Sequence, residues 1–191
     1  MNAIILNGAN DEGGLIHTIP KILTDELERR GYQTEHLILR DLRIESCRRC
    51  FGCWWKTPGI CMMKETGFDI MRKFVQSNLV ILLTPVTFGG YSYHLKKAVD
   101  RMILLTTPDI QKFDGECHHP ARYHTPNFIT IGTMPAENEE TARIFKTLIG
   151  RNARNFQPQK YGSEVLLENY TLDKTVSLVT KLLNEVEGDL P

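Results

Sequence analysis

Apolar positions along this chain recur in two alternating periods. Ala3 to Leu6 form a short apolar run that stops at Asn7 and Gly8, which predicts a buried first strand. Ile16, Ile19, Leu23 and Leu27 then recur at helical spacing and give out near Gly31. Residues 33–39 predict a second strand, with a loop behind it. Over residues 65–76, Phe68, Met71 and Val75 return to helical spacing. The unbroken run from Leu79 to Leu83 predicts a strand covered on both faces, ended by Pro85. A helix is expected over 92–105, with Leu95, Val99, Met102 and Ile103 inward. Beyond it come a strand at 128–131, a helix at 137–154 and a strand at 164–167. A closing helix at 172–186 aligns Leu172, Val176, Val179, Leu183 and Val186.

Five strands alternating with five helices predict a doubly wound α/β sheet, parallel throughout, ordered 2-1-3-4-5 and covered on both faces as three α/β/α layers. The 191 residues fit one domain, 1–191. Two connections are long: a cysteine-rich loop at 45–64 and a second loop at 106–125. Such sheets bind ligands beyond the carboxyl ends of the strands, where the winding reverses. The loops at 8–14, 85–92 and 132–136 converge there.

Twenty-three basic and 23 acidic residues balance. No bulk field therefore draws the chain to nucleic acid or to an anionic membrane. The longest apolar runs are far too short to span a bilayer, and the first residues lack the pattern of a secretory leader. A cytoplasmic location is the expectation. Clustered cysteines in a reducing compartment are ligands or redox groups more often than staples.

The densest chemistry is in the segment ESCRRCFGCWWKTPGIC. There Cys47, Cys50, Cys53 and Cys61 read C-x2-C-x2-C-x7-C. Three thiols at successive x2 spacings can turn around one compact centre, with the fourth supplied from a looser loop. That suits a [4Fe–4S] cube, whose irons each need one thiolate. A zinc site is the next reading, a disulfide pair the weakest, and unmetallated thiols stay open. Arg48, Arg49 and Lys56 would offset an anionic thiolate site. Trp54 and Trp55 are unusual in a polar loop and point to a subunit contact, hence to a homo-oligomer, dimer or tetramer. A second metal site from Cys117, His118 and His119 is disfavoured because adjacent histidines point apart. His17, His36 and His94 are read as structural. An internal ion pair is the expectation for Asp100 and Arg101.

The order strand, Gly-bearing loop, strand, cysteine cluster and TPVTFGGYSYHLKKAVDR resembles the iron–sulfur flavoproteins of the NADPH-dependent FMN reductase group. The resemblance runs from Met1 to about Thr133. It implies a flavodoxin-like fold, FMN as cofactor, cysteines that hold a [4Fe–4S] cluster in some members, and NAD(P)H as electron donor. By position it makes Gly8, Ala9, Asn10, Gly13, Gly14, Leu15 and Ile16 the phosphate loop. It sets Thr84, Pro85, Val86, Thr87, Phe88, Gly89, Tyr91 and Ser92 beside the flavin ring. Gly132, Thr133 and Met134 form the third flavin-side loop. Pro85 and the Gly89–Gly90 pair also permit a backbone that approaches a flat ring, and Phe88 and Tyr91 offer aromatic faces.

The phosphate loop departs from the family's pattern. Ala9 and Ile16 carry no hydroxyl, Asp11 stands where a basic residue is usual, and Leu15 replaces Asn. Acidic side chains there repel a dianion. The leading expectation is an FMN-dependent electron-transfer oxidoreductase whose partners are small-molecule or protein electron donors and acceptors. The alternatives are a metal-binding or thiol-redox relative that has lost FMN, and a flavin reductase whose cysteines are structural. No triad motif calls for a nucleophile or general base, so no catalytic side chain is assigned.

Overall fold

The computed structural model describes residues 1–63 and 66–188. Five parallel strands form one sheet in the order β2-β1-β3-β6-β7: β1 (Asn2–Asn7), β2 (Gln33–Ile38), β3 (Leu79–Pro85), β6 (Asn127–Met134) and β7 (Tyr161–Leu167). In order of appearance among these five, that is 2-1-3-4-5, as expected. β1 lies between β2 and β3, with Ile5 opposite both His36 and Ile81. The chain winds outward one way from β1 to β2 and the other way from β3 onward. The β1/β3 boundary is therefore the switch point.

Alternation along the strands builds two cores. Ile4, Leu6, Val80, Leu82 and Phe128 face α3 (Thr66–Gln76), α4 (Tyr93–Arg101) and α5 (Glu139–Phe156). Ala3, Ile5, Leu79, Ile81, Leu83, Ile129 and Ile131 face α1 (Ile19–Arg29) and α6 (Leu172–Glu187). A period of two along a parallel strand with helices on both faces makes every position apolar, which is why the Leu79–Leu83 run is unbroken. The result is a three-layer α/β/α fold of flavodoxin-like type.

Several boundaries differ from the sequence pattern. Residues 15–17 form a separate 3-10 turn, and α1 begins only at Ile19, with Pro20 in its first turn. The helix after β3 is α-helical only to Arg101 and tightens to a 3-10 turn over Met102–Leu105. Its inward face is Leu95, Ala98 and Met102, while Val99 and Ile103 are half-buried. The loop at 106–125 is not structureless: β4 (Gln111–Phe113) and β5 (Glu116–His118) pair as an antiparallel hairpin. Asp114 and Gly115, both at positive φ, make its turn, a conformation that suits short hairpins. Glu65, where the second predicted helix was to begin, lies outside the described residues. No helix among the described residues is long and apolar enough to cross a membrane.

Candidate functional site

Three loops leave neighbouring strands at the carboxyl edge of the sheet. The β1 loop begins with Asn7, which is 1 % exposed and whose Oδ1 accepts the Ala9 N–H at 2.9 Å. Gly8 N–H donates to Leu83 O at 2.7 Å, and the Ser92 hydroxyl donates to Gly8 O at 2.6 Å. A Cβ on Gly8 would lie 2.6 Å from Ser92 Oγ and 2.7 Å from Leu95 Cβ, so only glycine fits there. Thr84 Oγ1 accepts the Ser92 N–H at 2.8 Å. Val86 N–H donates to Thr133 O at 2.9 Å, which ties the β3 loop to the end of β6.

Between Thr87 and Gly90 the chain reverses with bonds in both directions, 3.0 and 2.9 Å. Phe88 (φ 49°) and Gly89 (φ 72°) both take left-handed conformations, as a type I′ turn requires. Phe88 is fully exposed. A bulky residue held left-handed costs about 1–2 kcal/mol, and such strain gathers at functional positions. Gly89 packs on Ile144 of α5, where a Cβ would lie 2.6 Å from Cγ2.

The expected flavin-side residues thus divide. Asn10, Gly13, Gly14, Thr87 and Phe88 are exposed, and Leu15, Pro85 and Val86 are half-buried. Gly8, Ala9, Ile16, Thr84, Gly89, Ser92, Gly132, Thr133 and Met134 are buried in support of the loops. Tyr91 is not an open aromatic face. It is 7 % exposed, meets Phe145 edge-on at 6.1 Å, and accepts the Asn152 amide at 2.8 Å. Burial pushes its hydroxyl up to about 12.

The phosphate loop is held by groups that sequence spacing does not reveal. Leu15 N–H donates to Glu168 Oε2 at 2.5 Å, from the turn after β7. Arg40 Nη1 donates to Asp11 O at 2.6 Å, and Arg40 Nη2 meets Glu12 Oε1 at 3.2 Å. His17 Nε2 also lies 2.6 Å from Asp11 O. The ring-side loops fit a flavin, with a pinned backbone and an open aromatic. The phosphate loop does not fit a dianion as it stands, because its Leu15 amide already holds a carboxylate.

The cysteine loop forms a second centre on the α3–α4–α5 side. Arg49 (φ 51°) and Phe51 (φ 52°) are left-handed on either side of Cys50, and a four-residue helix, α2 (Gly52–Trp55), follows. Cys47, Cys50, Cys53 and Cys61 all line one cavity of about 30 Å³, walled by Phe51, Met62, Ile103 and Leu104. Gly52 admits the chain there, since a Cβ would sit 2.6 Å from Met62 Sδ. Arg101, 2 % exposed, donates to Glu45 O through Nε (2.8 Å) and Nη2 (2.6 Å), and to Cys61 Sγ through Nη1 at 3.3 Å. Asp100 instead pairs with Lys96 one turn earlier.

Burial, then the fields of Cys61, Cys47 and Cys50, raise the Cys53 thiol. Among the described residues no three Cys, His, Asp or Glu side chains stand close enough to hold a metal ion. The four thiols line one cavity and match a cluster in number, but they do not stand together as a metal-ligating set. In the second histidine region, Cys117 is exposed, His118 is buried against Asn155, and His119 turns to Asp109 O and to Trp54. The three do not converge.

Trp54 corrects an expectation. It is half-buried, donates through Nε1 to Ile103 O at 2.9 Å and packs on His119 at 4.5 Å. His119, just after the hairpin, and the 3-10 turn of the same chain lie against it. Trp55 is the open one, 70 % exposed, in company with Phe51, Ile60 and Met62.

The fold defines the class first: a flavodoxin-like α/β/α protein with its loops gathered at the switch point. The model of the NADPH-dependent FMN reductase family matches residues 1–118, and the chain belongs to that family of flavin-dependent oxidoreductases. An iron–sulfur flavoprotein from Archaeoglobus fulgidus is 23% identical over 101 residues, 53% of this chain and 48% of its own length. Another, from Methanocaldococcus jannaschii, is 29% identical over 101 residues, 53% and 51% of the two chains. The chain thus spans about half the length of the curated relatives it matches. Among solved structures, an NAD(P)H:quinone oxidoreductase from Methanothermobacter marburgensis aligns with TM-score 0.68 at 14% identity, over 94% of this chain and 93% of that one. An FMN-dependent NADH-azoreductase from Bacillus anthracis in complex with FMN aligns with TM-score 0.65 at 10% identity, over 95% of each. At these identities the likeness is one of fold.

Proposed function

We propose that this protein is an FMN-dependent electron-transfer oxidoreductase, reduced by NAD(P)H, with a [4Fe–4S] cluster on its four cysteines. What carries the reading is the meeting of three strand-end loops, pinned by Ser92 and Thr133, in a chain of the FMN reductase family. FMN, when bound, supplies two-electron acceptance from a nicotinamide and release of single electrons. Gly8 to Leu15 would lie along the ribityl side. Pro85 to Phe88 would lie along the ring, with Phe88 offering its face, and the backbone at 132–134 would close the third side.

Cys47, Cys50, Cys53 and Cys61 would hold the cluster. Support comes from their single cavity and from the names of the curated relatives, which are iron–sulfur flavoproteins. The buried Arg101 guanidinium donates to Cys61 Sγ and fixes it at the cavity wall. The protein works as one folded unit over 1–191 and assembles as a homo-oligomer, dimer or tetramer, through the exposed surface of Trp55, Phe51, Ile60 and Met62.

Anaerobic purification followed by an absorption spectrum and by flavin, iron and sulfide determination tests this. Paired flavin bands with about four irons per chain are expected. Flavin without iron leaves a reductase with structural thiols. A colourless protein overturns the reading in favour of zinc or bare thiols.

A further inference from the structure

Glu168 leaves β7, the edge strand, at the turn into α6. Its backbone is fixed, since its N–H donates to Met134 O at 2.9 Å and Tyr170 N–H donates to Leu167 O at 2.9 Å. Its side chain crosses to the β1 loop, where Oε2 accepts the Leu15 N–H at 2.5 Å. The carboxylate lies against Gly14, which is at φ 78°. A Cβ there would stand 2.6 Å from Oε2 and 3.1 Å from Cδ. The contact thus uses the bare backbone that a loop of this kind otherwise offers to a phosphate.

The surrounding charges do not make room for a second anion. Asp11 and Glu12 are exposed on the same loop. Arg40, the cation beside them, is engaged by Asp11 O and Glu12, and His17 lies on Asp11 O. A dianionic phosphate would have to displace Glu168 from the Leu15 amide, on a loop that also carries Asp11 and Glu12. A ribityl hydroxyl, by contrast, can donate to a carboxylate.

We propose that Glu168 is an internal occupant of the phosphate position, and that this loop selects flavins by the absence of a phosphate. Riboflavin then binds at least as tightly as FMN, and FMN is held as an exchangeable ligand. The inference rests on the flavin reading above. It concerns only which flavin the site prefers.

Titrating the full chain with riboflavin and with FMN in parallel, by quenching of flavin fluorescence, gives the ratio of the two dissociation constants. The wild type is expected to bind FMN no tighter than riboflavin. Glu168→Ala frees the Leu15 amide and removes a charge. It should tighten FMN about tenfold while moving riboflavin less than threefold, a change of about 1.4 kcal/mol in the ratio. Glu168→Gln keeps an oxygen for Leu15 but loses the charge, and should shift the ratio in the same direction. Glu168 is exposed and its backbone bonds are untouched, so both variants keep the wild-type melting profile. A wild type that prefers FMN tenfold, or a ratio unchanged in both variants, overturns the proposal. Wild type and variants that bind neither flavin overturn the flavin reading itself, and the proposal with it.

Discussion

The hydroxyl of Ser92 donates to the carbonyl of Gly8 at 2.6 Å while accepting the Leu95 N–H at 3.3 Å, so one side chain caps α4 and locks the β1 loop onto it. Both groups are buried. Ser92→Ala removes an N-cap and leaves Gly8 O without that donor, which should cost about 2 kcal/mol. Urea denaturation measures this as a lower midpoint at constant slope. An unchanged midpoint would show that the two loops are held by other contacts.

Phe88 sits left-handed and fully exposed, so it contributes strain and no burial. Phe88→Asn should therefore stabilise the fold by about 0.5–1 kcal/mol, because Asn tolerates that conformation better. The same change should weaken flavin binding if the ring is the flavin's aromatic contact. Calorimetric melting and a flavin titration of one variant read both effects. A variant that is less stable, with affinity intact, would contradict both.

The tryptophan pair should separate into two roles. Trp54→Ala loses the bond to Ile103 O and the contact with His119. A loss of about 2–3 kcal/mol is expected, with faster labelling of the buried Cys53. Trp55→Ser should leave stability within about 0.5 kcal/mol and shift light scattering toward the monomer. A monomeric wild type would remove the subunit contact from this surface.

His94 is half-buried with Nδ1 unpartnered among the described residues. Burial first, then the charges of Lys97 and Arg40, push it below its ordinary value, with Asp41 opposing. Burial and His17 do the same to His36. Between the lowered folded values and the ordinary value of about 6.5, the unfolded chain binds more protons. Stability should accordingly fall as pH drops from about 6.5 and be flat above it with respect to these rings. Melting temperatures across that range, for wild type and for His94→Gln, check the sign: the variant should show the shallower slope.

Much of the architecture was legible because it is written in local periods. The unbroken Leu79–Leu83 run marked a strand covered on both faces, and the Leu172–Val186 stripe marked the last helix, although Leu172 itself is exposed. Cys47, Cys50 and Cys53 are close in sequence and cannot avoid sharing a turn. The hairpin at 111–118 was missed because its strands are three residues each and carry almost no alternation. Tyr91 was read as a ligand face because a loop aromatic carries no mark of which way it turns. Asn7 could have been found as the one polar position closing an apolar strand.

By itself the sequence determined the layers, the strand order and the clustering of the cysteines, since these follow from spacing along the chain and from the handedness of parallel crossovers. It also carried the altered composition of the phosphate loop. Only tertiary structure decided that Glu168, 153 residues beyond Leu15, sits on that loop's amide. Only the tertiary structure turned Arg101 onto Cys61 and laid Trp54 against His119. Such contacts join strand ends and loops whose directions depend on the twist of the whole sheet, and no local period encodes them.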